Sequence, residues 1–73
     1  MLKRRIRMEL DSLLNDLRMN LENNYKDLAH DALKKFHTTL DAYEADGLMK
    51  EKDYIKYKKV ADDYSKRMEN YHH

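Results

Sequence analysis

The 73-residue chain has no cysteine, no proline and a single glycine. Without cysteine no disulfide braces the fold, and the composition fits a reducing compartment, so a cytoplasmic location is expected. Without proline, nothing except Gly47 obliges a helix to stop. Long apolar runs are missing too. Charged residues recur every few positions, so no stretch reads as a transmembrane span. The basic start Lys3-Arg4-Arg5-Ile6-Arg7 is not followed by the uninterrupted apolar segment of roughly 7–15 residues that a secretory signal requires. A phosphate-cradling glycine loop is excluded by the lone glycine. The formal net charge of +1 gives no overall push toward nucleic acid or membrane.

What is present is helical order. Hydrophobic residues make up 41% and charged residues 40% of the chain, with apolar positions recurring at threes and fours. This argues for one folded all-α domain over residues 1–73. Gly47 lies between two such runs, where a glycine at the residue after a helix accepts positive φ at no steric cost. Leu48 is expected to supply the apolar contact that accompanies such a cap. Folded antiparallel about this turn, the runs meet in layers: Tyr43 with Tyr54, Leu40 with Tyr57, Phe36 with Ala61. The layers continue with Ala32 and Leu33 opposite Tyr64, Leu28 and Ala29 opposite Met68, and Tyr25 opposite Tyr71. Large side chains face small ones, as a close-packed helix pair needs. Asp41, Glu44 and Asp46 before the turn, and Lys50 and Lys52 after it, each oppose their own helix dipole and offset one another across the hairpin.

The N-terminal third carries Leu2, Ile6, Leu10, Leu13, Leu14, Leu17 and Leu21, a leucine-rich stripe with charge opposite. Two architectures fit it. In one, Asn24 is an N-cap, with Asp27 reaching back in a shortened capping box. The stripe then folds into the hairpin groove as a three-helix bundle built on the C-terminal hairpin. In the other, one helix runs unbroken from Lys3 to Asp46 and the stripe projects beyond the hairpin, where a second subunit covers it. Below about 70–80 residues a single core supplies only about 3–5 kcal/mol, which favours a homodimer or a protein partner. The candidate partner face is Ile6, Leu10, Leu13, Leu17 and Leu21.

The residues Gly47, Leu48, Met49, Asp53, Tyr54 and Lys58 follow a further pattern. A helix, a glycine and two apolar residues lead to an acidic-aromatic pair with lysine four positions on. Residues 47–58 thereby resemble the short helical-hairpin family called SHOCT, with Lys50 where the family has a capping threonine. The resemblance implies an accessory interaction or oligomerisation module and no catalytic residues.

Other constellations are less pointed. Tyr54, Tyr57, Tyr64 and Tyr71 form a row that could stack bases, but their spacing is that of a helix seam with partners opposite. His30 and His37 lie about 10 Å apart along a helix, too far to share one ion without further ligands. Ser12 and Ser65 have no neighbouring histidine, and adjacent carboxylates such as Asp62 and Asp63 diverge by about 100° on a helix. The sequence thus points to a non-enzyme with no cofactor and no metal. Lys3, Arg4, Arg5 and Arg7 are the strongest functional-looking feature, because four positive charges in the first turns of a helix oppose its dipole. They suit contact with an anionic lipid surface or, joined by Lys50, Lys52, Lys56 and Lys59, with a nucleic-acid backbone. His72 and His73 carry no weight in this reading.

Overall fold

The computed structural model describes residues 3–69. Leu2, Tyr71, His72 and His73 lie outside them. Three helices run up, down and up: α1 (Arg4–Glu22), α2 (Lys26–Ala45) and α3 (Glu51–Glu69). The result is a three-helix bundle about 40 Å long and 15–18 Å across. The unbroken helix from Lys3 to Asp46 is not formed.

Both turns close by the same backbone device. After α1, Asn24 takes φ +60°. The Tyr25 amide then donates to the Asn20 carbonyl at 2.8 Å, and the Asn24 amide to Leu21 at 3.1 Å. After α2, Gly47 takes φ +73°, the Leu48 amide reaches Tyr43 at 3.0 Å, and the Gly47 amide reaches Glu44 at 3.1 Å. Each pair satisfies two of the carbonyls that a helix end leaves open. Asn24 is therefore a C-terminal stop for α1 and not the N-cap of α2. Tyr25 holds the N-cap position without a side-chain bond. Asparagine can do this because its short polar side chain tolerates the left-handed region better than most. Asp27 remains in the first turn of α2, where a carboxylate suits the dipole without closing a capping box.

A Cβ added at Gly47 would meet nothing within 4 Å, so the cost of a substitution is that of the backbone alone. Gly47→Ala should destabilise by about 1–2 kcal/mol, the ordinary cost of a left-handed L-residue. In a domain of this size the melting temperature should fall by several degrees. An unchanged melting temperature would contradict the left-handed cap.

The core forms two tiers. Ile6, Leu10, Phe36, Leu40, Met49 and Ala61 fill the one near the N-terminus of α1. Leu17, Leu21, Ala29, Ala32 and Met68 fill the other. Leu14 and Leu33 pack against both. The expected layers are recognisable here: Phe36 and Ala61 share the first tier, and Tyr64 packs with Ala29, Ala32 and Met68 in the second. Three positions differ. Leu48 is exposed and Met49, 7% accessible, takes the buried place. At the head of α2, Ala29 turns inward while Leu28 and Tyr25 face solvent. The third concerns charge: Glu51 and Asp53 share the first turn of α3, and Lys66 and Arg67 lie in its last. Helix α3 is therefore oriented favourably in its own dipole, and Lys52 does not set the balance at its start.

Candidate interaction surface

The two groups of residues singled out in the sequence meet opposite fates. Ile6, Leu10 and Leu17 are fully buried, Leu21 nearly so, and Leu13 half-buried. The turn at Asn23-Asn24 folds α1 back, so the leucines that would have required a second subunit pack against α2 and α3. The proposed partner face is thus mostly interior in the folded chain. Lys3, Arg4, Arg5 and Arg7, by contrast, are all exposed. The first turn of α1 contains no acidic residue, and among the described residues none of the four is held in an ion pair. Because the chain runs up, down and up, the starts of α1 and α3 share one pole of the bundle. Lys50 and Lys52 therefore stand at the same end as the α1 cluster, together with Glu44 and Asp46 at the end of α2.

Near this pole three tyrosines tie the helices together in a closed ring. Tyr43 of α2 donates its hydroxyl to Glu9 of α1. Tyr54 of α3 donates to Asp41 of α2 at 2.8 Å. Tyr57 of α3 donates to Asp11 of α1 at 3.3 Å. Each pair of helices thus carries one hydroxyl–carboxylate link. The Tyr57 ring also packs 6.3 Å from Phe36, centre to centre, and Lys58 lies 5.6 Å over Tyr54. Asp41, expected to face a lysine across the hairpin, meets the Tyr54 hydroxyl.

All three tyrosine pKa values are raised above the ordinary phenol value. For Tyr43 the hydrogen bond to Glu9 is the main cause, with burial and the Glu9 charge adding and Arg5 opposing. For Tyr54 it is the bond to Asp41. For Tyr57, burial leads, followed by the charge of Asp11. A proton held more tightly in the folded state stabilises it fully below the unfolded value of about 10. That contribution is lost as pH rises through the folded values. The melting temperature should therefore fall as pH climbs above about 10, and fall less steeply in the Tyr43→Phe, Tyr54→Phe, Tyr57→Phe triple variant. Parallel alkaline profiles for the two proteins would show that the hydroxyl links do not matter.

Helices α1 and α3 touch each other least. Between them lies an open seam lined by Asp11, Leu14, Asn15, Arg18 and Tyr64. Arg67 of α3 sits 5.6 Å over the Tyr64 ring. Arg18 donates to the Asn15 amide oxygen at 2.8 Å. Arg18 did not stand out in the sequence, because only the closed bundle brings it to one seam with Tyr64 of α3.

His37 packs edge-on against Phe36, ring centres 6.3 Å apart. Among the described residues no three histidine, aspartate or glutamate side chains converge to hold an ion. No helix among them is long and apolar enough to cross a membrane.

No family model matches the chain, and no similar protein emerges among curated proteins or solved structures.

Proposed function

We propose that this chain is a small non-catalytic interaction module that acts as an accessory protein by binding another macromolecule, with the basic start of α1 as its contact surface. The observation that carries this is the pairing of a buried leucine stripe with an exposed, unpaired basic cluster on the same helix. In α1 the apolar face is spent on the core, whereas Arg4, Arg5 and Arg7 lie where the helix dipole disfavours them. Charges so placed oppose the dipole of their own helix, so a negative partner is their natural complement. The resemblance of residues 47–58 to SHOCT hairpins supports an accessory role of the same kind.

The test compares the wild type with a variant carrying Lys3→Gln, Arg4→Gln, Arg5→Gln and Arg7→Gln. All four side chains are exposed, so the variant should keep its helicity by circular dichroism. Proteins crosslinked to the wild type in cells should be lost from the variant; identical partner sets would overturn the reading.

A second reading, phosphate-backbone binding, is favoured by the shared pole of α1 and α3, which adds Lys50 and Lys52 to the cluster. Fluorescence anisotropy with random DNA and RNA at two salt concentrations decides it. Backbone contact predicts that affinity falls steeply with salt and that the slope shrinks in the variant. Salt-independent or absent binding would rule it out.

A further inference from the structure

The outer face of α3 carries a row of lysines that the start of α1 does not account for. Lys52, Lys56 and Lys59 stand at i, i+4 and i+7, so they share one face of the helix, about 6 Å and about 4.5 Å apart along its axis. All three are exposed. On the other side of the helix Tyr54, Tyr57 and Ala61 pack into the first core tier, which turns the row to solvent. Lys58 does not belong to it, because it lies over the Tyr54 ring. Acids stand within helical reach: Asp53 three residues before Lys56, and Asp62 and Asp63 three and four residues after Lys59. Among the described residues none of them holds a lysine of the row in an ion pair. Glu51 precedes Lys52 and diverges from it by about 100°.

An ammonium group is a compact point charge that meets phosphate oxygens singly, without the two-pronged grip of arginine on a carboxylate. Three such charges in line, exposed and unneutralised, fit a ligand whose negative charges also come in line. A lipid surface fits the face less well, because an interfacial helix sinks a continuous apolar stripe. The exposed apolar residues here are Ile55, 56% accessible, and Val60, 36% accessible, and five residues of helix set them about 140° apart. Double-stranded DNA carries one negative charge for about every 1.7 Å of its axis, dense enough to serve each lysine. Asp62 and Asp63 end the row, so the contact is limited to a short stretch of backbone. We propose that Lys52, Lys56 and Lys59 bind the phosphate backbone of double-stranded DNA, independently of base sequence. This rests on the phosphate-backbone reading above and adds to it a contact on the outer face of α3.

The test is fluorescence anisotropy with two labelled DNA duplexes of unrelated sequence, titrated with the full chain over a range of salt. The Lys52→Gln, Lys56→Gln, Lys59→Gln variant changes exposed side chains only and should keep the wild-type helicity and melting temperature. For both duplexes alike, its slope of log affinity against log salt should be shallower by about 3, roughly one for each lost contact. Lys34→Gln with Lys35→Gln, which removes exposed charge from α2, should leave the slope as it is, and so should Ile55→Ser. A wild-type slope in the triple variant, with a shallower one in the variant lacking the α1 basic cluster, would overturn the α3 contact and leave the phosphate-backbone reading standing. No binding of either duplex by the wild type would overturn both. An equal loss on removing Lys34 and Lys35 would show a response to net charge alone and overturn the proposal. So would binding to vesicles of phosphatidylserine and phosphatidylcholine that needs the three lysines when DNA binding does not.

Discussion

Phe36→Ala should unfold the domain. Phe36 is fully buried in the tier nearest the start of α1, in one cluster with Ile6, Leu10 and Ala61, and its ring meets Tyr57. Removing it takes away a large transfer contribution and leaves a cavity that three helices cannot close together, a loss of about 3–5 kcal/mol. A core of this size supplies roughly the same amount in total. Circular dichroism should show most helicity gone at room temperature. A variant that stays folded with less than about 1 kcal/mol lost would show that the ring is not the centre of the tier.

Leu17→Lys should have an effect as large, by a different mechanism. Leu17 is fully inaccessible and belongs to the second tier, with Leu21, Ala29, Ala32 and Met68. No buried polar or charged residue exists among the described residues to receive an ammonium group. The uncompensated charge costs several kcal/mol even after relaxation. Loss of helicity in all three helices at once is the expected result, because α1 supplies both tiers. A helical protein with the wild-type melting temperature would place Leu17 at the surface. As a control, Met8, exposed on the same helix, should accept lysine with a change within about 0.5 kcal/mol.

Much of this fold was legible in the sequence, because helix periodicity is a local signal and the layering of Phe36 over Ala61 follows from counting outward from Gly47. What was not legible has identifiable causes. An asparagine between helical runs can begin the second helix with its side chain or end the first with its backbone, and both require the same residue. The spacing of the leucines stays in phase through Asn23-Asn24, so periodicity does not reveal the break there. Leu48 and Met49 are adjacent and similarly apolar; only the path of the chain after Gly47 turns Met49 inward.

The surface divides in the same way. The basic start of α1 is contiguous in sequence and was visible there. The tyrosine–carboxylate links join residues 34, 13 and 46 positions apart, and the row of tyrosines predicts only that their hydroxyls reach the rim. Burial of Ile6, Leu10, Leu17 and Leu21 also changes what the stripe means. Leucines that look like an interface in an extended helix become the core once the turn closes.

That one chain covers its own leucines is tested most directly by melting the protein at concentrations about a hundredfold apart, with the mass measured by light scattering at each. A bundle whose core lies within one chain should melt at the same temperature throughout and show the mass of a single 8.9 kDa chain at the lowest concentration. Stability that depends on association shifts with concentration by mass action. A melting temperature that rises with concentration, accompanied by a dimer mass that persists until the helices unfold, would contradict an intrachain core and return the leucine stripe to a second subunit.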